Sequence, residues 1–209
     1  MWKISINHNL LIYSTMITIR FKNVTAYSLL FVLMTFQSLT AQPKIELDEK
    51  NNPVITEEMA KKIFATSEFE IVHEGSILDR MFADSEQIRL TDLEGKIVVL
   101  DFWQTWCGPC HVSFKGFHKA KEAWPDKIEI VAASPDWADS NRKIRSFIRN
   151  HDYDFIYVLA GGLESELNLG SIPYKIIFAP DGSLIGSFSG SKGEEEEFEV
   201  LRELVELWY

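Results

Sequence analysis

Apolar residues along this chain fall into unbroken runs and into runs spaced three and four apart, and their order predicts the architecture. Ile97-Val98-Val99-Leu100-Asp101-Phe102-Trp103 is nearly continuous, rich in β-branched residues, and follows Glu94-Gly95-Lys96. It predicts a strand of a parallel sheet, buried on both faces. From residue 107 to 123 the spacing turns helical, at Cys110, Phe114, Phe117 and Ala120. Residues 128–133 read as a second buried strand, Asp139-Ser140 as the cap of a helix to about 150, 155–159 as a strand and 164–169 as a helical turn. Residues 174–178 and 184–188 flank Pro180-Asp181-Gly182 and predict a hairpin. Residues 194–207 predict a final helix. Its opening glutamates, 194–197, suit the helix dipole and read as a solvated cap, not a metal site. Upstream, Thr56 is placed to cap a short helix to residue 65, and 69–72 resemble a strand. Residues 73–87 show no clear pattern. Strands alternate with helices early and a hairpin comes late, so the class is α/β with a mixed sheet.

Charge divides the chain differently. Residues 1–42 hold Lys3, Arg20 and Lys22 and no acidic residue, whereas 43–209 carry 18 basic and 31 acidic residues, a net of −13. Arg20 and Lys22 precede the apolar Leu29-Leu30-Phe31-Val32-Leu33-Met34. Ser38, Thr40 and Ala41 follow, the pattern of a secretory signal. The run is short for a spanning helix, which leaves an uncleaved anchor as the alternative. Met16 is an alternative start, because residues 16–41 alone contain all three signal regions. The expected organisation is a signal at 1–42, an N-terminal extension at 43–87 and one domain at 88–209. The acidic balance argues against nucleic acid and anionic lipid as partners.

The two cysteines lie together, in Trp106-Cys107-Gly108-Pro109-Cys110, between a buried strand and a helix. Unpaired N–H groups and the dipole at a helix start stabilise a thiolate, and Pro109 fits a first turn. A pair this close in an exported chain is expected to cycle between dithiol and disulfide. One C-x-x-C offers only two of zinc's usual four ligands, so no metal is expected. A loop this short makes a poor structural staple. His111 completes a C-x-x-C-H string of the kind that attaches c-type haem; against it stands the strand that ends just before the motif.

Val98-Val99-Leu100-Asp101-Phe102-Trp103 followed by Thr105-Trp106-Cys107-Gly108-Pro109-Cys110 resembles the active-site segment of the thioredoxin superfamily. Leu90-Thr91-Asp92-Leu93-Glu94-Gly95-Lys96 and the signal resemble its exported TlpA/ResA-type members. Gly170-Ser171-Ile172-Pro173 resembles the family's cis-proline loop, and Pro180-Asp181-Gly182 its hairpin turn. The resemblance covers about residues 88–207 and implies a thioredoxin fold, a central mixed sheet flanked by helices. The 66 residues from Cys107 to Pro173 leave room for the strand–helix insertion that TlpA/ResA-type proteins carry before the proline loop. Two positions depart from the pattern. Ser113 stands where these exported proteins often have Glu, and Tyr174 where Thr usually follows the proline.

Chemistry and resemblance together assign roles. Cys107 is the attacking thiolate, and Cys110 resolves the mixed disulfide. Asp101, inside an apolar strand, is expected to have a raised pKa and to serve as base for Cys110; an exposed strand-edge carboxylate is the alternative. Ile172, Pro173 and Tyr174 are expected to meet the substrate, with Pro173 in cis; Trp106 is expected to be a platform beside the sulfur or plain core, and Trp137 to extend that rim or stand as a stray surface aromatic. Trp103 reads as core. The resemblance implies an exported, periplasmic, monomeric thiol–disulfide oxidoreductase with no cofactor beyond its redox-active disulfide. It would reduce disulfides of exported proteins, apocytochrome c thiols or envelope enzymes among them, with electrons from a membrane donor. Isomerase or oxidase activity, or haem binding through Cys107, Cys110 and His111, are the alternatives.

Overall fold

The computed structural model describes residues 52–74, 86–137 and 139–209. The expected signal at 1–42, the alternative start at Met16 and most of the patternless stretch lie outside the described residues. All described residues belong to one compact unit, Ile45–Tyr209. Residues 52–74 therefore share a unit with residues 88–209.

Helix α1 (Glu57–Thr66) starts as its cap predicts: Met59 N–H donates to Thr56 Oγ1 at 3.3 Å. It leads into β1 (Glu68–Glu70), which pairs antiparallel with β2 (Gln87–Arg89) in a small ribbon. A 3₁₀ turn, Leu90–Leu93, then enters the main sheet. There β3 (Ile97–Phe102), β4 (Ile128–Ser134) and β5 (Ile156–Leu159) run parallel. On the other side of β3, β6 (Tyr174–Phe178) and β7 (Leu184–Ser189) follow as an antiparallel hairpin, giving the order β5-β4-β3-β6-β7. The connecting helices are α2 (Gly108–Ala123), α3 (Asn141–Asn150), the single turn α4 (Leu163–Glu166) and the terminal α5 (Glu194–Trp208). The expected strand–helix insertion is α3 with β5.

Every residue of β3 is buried, because the sheet is covered on both sides. Alternation divides its side chains. Val98, Leu100 and Phe102 join Ile63, Phe64 and Phe178 in the layer beneath α1. Ile97, Val99 and Trp103 join Phe114, Phe117, Ile144, Phe147 and Leu201 in the layer beneath α2, α3 and α5. Each such aromatic or aliphatic side chain contributes about 1.5–3 kcal/mol on burial. Asp101, between Val99 and Trp103 in register, lies on the α2 face.

Two glycines set close approaches. Gly182, at φ +80° in the hairpin turn, faces Phe64 of α1 so closely that a Cβ would sit 2.6 Å from the ring. Gly116 lets α2 meet α5: a Cβ there would collide with the Glu194 carbonyl and the Glu197 side chain.

The glutamates at 194–197 correct one expectation. Glu195 and Glu196 are exposed, and Lys119 pairs with Glu194 and Glu195 at 2.6 Å each. Glu197 is buried instead. The contact at Gly116 turns that position of α5 inward, under α2.

Candidate functional site

Strand β3 delivers the chain to the site. Four residues separate Phe102 from Cys107, and Cys107 is the N-cap of α2. Its Sγ accepts the Cys110 N–H at 3.2 Å, and Pro109 lies in the first turn, where its missing N–H leaves no bond unmade. Cys107 and Cys110 are joined in a disulfide, with Cα atoms 5.3 Å apart. Both sulfurs are buried, while Trp106 beside them is 65% exposed. Trp103 is core, packed on Phe114, Phe147 and Tyr157.

The neighbouring loops come from the adjacent strands. Phe102 and Tyr174 are register partners, so the residues after β3 and those before β6 emerge at one end of the sheet. The Ile172–Pro173 peptide bond is cis. Ile172 is partly buried and packs against the cluster that contains both cysteines. Asn52 holds this loop: its Oδ1 accepts from Gly170 N–H at 2.9 Å and Ser171 N–H at 3.0 Å, and its Nδ2 donates to Ser171 Oγ at 2.9 Å. On the other side, Asp139 is buried and accepts from Thr105 N–H and from Thr105 Oγ1, the latter at 2.9 Å. That clamps the loop after β4 onto the residue before Trp106. Trp137 in this loop is 73% exposed. The sequence places the cap of α3 at Asp139-Ser140; Ser140 occupies the N-cap position, and Asp139 binds Thr105.

Tyr174 is a correction. It is 1% exposed and forms no part of an open rim. Alternation along β6 puts it with Ile176 and Phe178 on the α1 face, where its hydroxyl donates to the Pro53 carbonyl at 2.6 Å.

Beneath the motif lies a polar cluster in an apolar layer. Asp101 is fully buried, and neither carboxylate oxygen has a hydrogen-bond partner among the described residues. Desolvation pushes its carboxyl up to about 8; Lys175 opposes that shift and Glu197 adds to it. Lys175 is the register partner of Asp101 on β6. Its ammonium forms a buried ion pair with Glu197 Oε1 and donates to the Gly190 carbonyl at 3.2 Å. The same Glu197 oxygen accepts from Ser113 Oγ at 3.0 Å and from Lys192 N–H at 3.1 Å. Ser113, where a Glu is common in the exported proteins this chain resembles, thus contacts a carboxylate supplied by α5. The sequence pattern places Glu197 in a solvated cap and gives Lys175 no role in the site. The signal was Lys175 itself, one charge inside the apolar run at 174–178.

His111 sits in the first turn of α2, its N–H donating to the Cys107 carbonyl at 3.2 Å. Its ring packs on Phe147, 5.1 Å between centroids, and burial together with nearby His151 holds it below the ordinary histidine range. Among the described residues no group of three or more His, Cys, Asp or Glu is placed to hold a metal.

A family model described as AhpC/TSA family matches residues 78–200, more than half of the chain. A curated relative named thioredoxin-like protein YneN, from Bacillus subtilis, is 30% identical over 113 residues, 53% of this chain and 66% of the relative. Another, thiol-disulfide oxidoreductase ResA from Bacillus thuringiensis, is 29% identical over 124 residues, 58% of this chain and 70% of the relative. The chain thus spans about two thirds of the length of these relatives. Among solved structures, MTB DsbF in mixed oxidised and reduced forms superposes with a TM-score of 0.53 at 17% identity, covering 69% of this chain and 97% of that one. That likeness supports the thioredoxin fold.

Proposed function

Because the chain belongs to the AhpC/TSA family and holds its two cysteines as a disulfide at a helix start, we propose that it is a thiol–disulfide oxidoreductase that reduces disulfides of exported proteins. The observation that carries this reading is the Cys107–Cys110 bridge at the start of α2, together with Asp101, buried on the α2 face of the preceding strand and without a hydrogen-bond partner among the described residues. The sequence relatives named for the same chemistry support it.

In the reduced enzyme the Cys107 thiolate attacks a substrate disulfide. A Cys107–substrate bond forms, and the first substrate sulfur leaves and is protonated from solvent. Cys110 then gives its proton to Asp101 and attacks Cys107. The Cys107–Cys110 bond forms, the Cys107–substrate bond breaks, and the second sulfur leaves. Two electrons pass to the substrate. A base with a pKa near the working pH suits the second step, and Asp101 at about 8 meets that condition. Trp106 and the Ile172–Pro173 edge receive the substrate, the first as a flat apolar surface and the second as a backbone edge for an extended segment. The disulfide is the sole redox group, with no metal. The signal-like segment before residue 43 directs export to the periplasm, and a membrane partner returns the electrons. The folded chain works as a monomer.

The Gly-Pro dipeptide between the cysteines is that of thioredoxin, so the pair is expected to be strongly reducing. Equilibration of Cys107/Cys110 with defined thiol–disulfide buffers tests the direction. A potential near thioredoxin's value of about −270 mV supports a reductant, and one near about −120 mV makes the protein an oxidant.

A further inference from the structure

The cluster beneath the cysteines holds two carboxylates and one ammonium, and only one carboxylate is bonded to it. Lys175 lies beside Asp101 in register, yet its hydrogen bonds go to Glu197 and to the Gly190 carbonyl. Glu197 is held to this arrangement by three donors from three places: Lys175 on β6, Ser113 on α2 and the backbone of Lys192 before α5. Gly116 supplies the close helix contact that lets Glu197 reach them. The arrangement is not accidental packing of a surface chain, since both members of the pair are almost fully buried. A buried ion pair of this kind is weak evidence for a stabilising role, because desolvation offsets most of its attraction.

We propose that Glu197 is a positioning residue for the second chemical step: by holding the Lys175 ammonium it keeps that charge from capturing Asp101, and so leaves Asp101 able to take the proton of Cys110. The inference rests on the oxidoreductase reading and assigns a further part of the same site.

The charges around Asp101 bear this out element by element. Lys175 comes from β6 and Glu197 from α5, and these are the charged groups that act on Asp101. From β4 its register partner is Ala132. From α2 the buried polar groups are Cys110, Ser113 and Lys121, and Lys121 is bound to Glu129. From α3 the buried groups are Ile144 and Phe147. Removing the negative member of the pair therefore leaves an uncompensated ammonium beside Asp101. Removing the positive member leaves two carboxylates facing each other. The two changes move the proton affinity of Asp101 in opposite directions.

The test uses reduced protein and 5,5′-dithiobis(2-nitrobenzoate). The first thionitrobenzoate released reports attack by Cys107; the second reports attack by Cys110 on the mixed disulfide. The pH midpoint of the second release is followed by stopped flow. For Glu197→Gln the midpoint is expected to fall by about one pH unit, a tenfold loss of proton affinity, and for Lys175→Met to rise by a similar amount. Glu197→Asp, which keeps the charge, is expected to lie between wild type and Glu197→Gln, whereas a purely structural role would penalise it equally. Should Glu197→Gln not fold, the upward displacement in Lys175→Met decides the matter. Unmoved midpoints in folded variants, or displacement of both in one direction, would overturn the proposal. Asp101→Asn separates this failure from that of the base assignment. If it retains the wild-type midpoint, Asp101 is not the base; if the midpoint vanishes while the Glu197 and Lys175 variants stay unmoved, the positioning role alone is wrong.

Discussion

Two buried lysine–glutamate pairs lie among the described residues, and they differ in what surrounds them. Lys121 of α2 and Glu129 of β4 form the pair far from the cysteines. Lys121 Nζ donates to Glu129 Oε1 at 2.8 Å, Glu129 Oε2 at 2.9 Å and the Ile128 carbonyl at 3.2 Å, and Lys96 adds a contact to Glu129 at 2.9 Å. Both charges there are saturated. Lys175 and Glu197 are similarly bonded, but a third group, Asp101, sits beside them with neither oxygen hydrogen-bonded among the described residues. The same ion pair is a fastening in one place and the neighbour of a proton-active group in the other. An unsatisfied buried carboxylate costs stability, and in the proposed mechanism this one is the base for Cys110.

The largest effect expected from breaking this contrast is at Asp101. Its carboxyl is raised in the folded protein relative to the unfolded chain. The burial penalty is therefore absent below the unfolded pKa of about 4, where both states are protonated, and complete above the folded value of about 8. Asp101→Asn should raise unfolding free energy by on the order of 5 kcal/mol at pH 9 and by little at pH 4, while slowing resolution of the mixed disulfide. Denaturant melts at the two pH values check the sign; a variant less stable at pH 9 would mean that the carboxylate is paired.

At the other pair the expectation is loss without chemistry. Lys121→Met leaves Glu129 with only the partly exposed Lys96, and should cost about 3 kcal/mol, seen as a lower urea midpoint. The pH dependence of thionitrobenzoate release should stay as in wild type. A displaced profile would show that charges at the far end of α2 reach the site.

The smallest stability effect belongs to the exposed lip. Trp106→Ala should change stability by less than about 0.5 kcal/mol, because the side chain is mostly in solvent. It should slow insulin reduction roughly tenfold and slow a small aromatic disulfide much less. Equal loss on both would mean that Trp106 supports the cysteine geometry and does not bind the partner.

The parts of the site legible in the sequence are those encoded locally. The apolar run of β3, the proline in the first turn and the two cysteines three apart lie within fourteen residues. Burial of Asp101 followed from the same run. What was not legible depends on distant contacts. Tyr174 follows the proline, but its face is decided by β6 alternation and by Pro53, 121 residues earlier. Glu197 looks like its three neighbours in sequence, and only the contact of α5 with Gly116 and Ser113, 84 residues away, buries it. Asn52 falls in a polar lead-in without pattern, yet bonds the proline loop 119 residues on.

The central claim is that Cys107 exchanges disulfides and Cys110 resolves the product. Its most direct measurement is a trap: Cys110→Ser incubated with a disulfide-containing protein such as insulin, followed by non-reducing mass spectrometry and peptide mapping. The account predicts a stable, thiol-sensitive adduct through Cys107, and none with Cys107→Ser. An adduct that forms through Cys110 in Cys107→Ser, with none in Cys110→Ser, would contradict it.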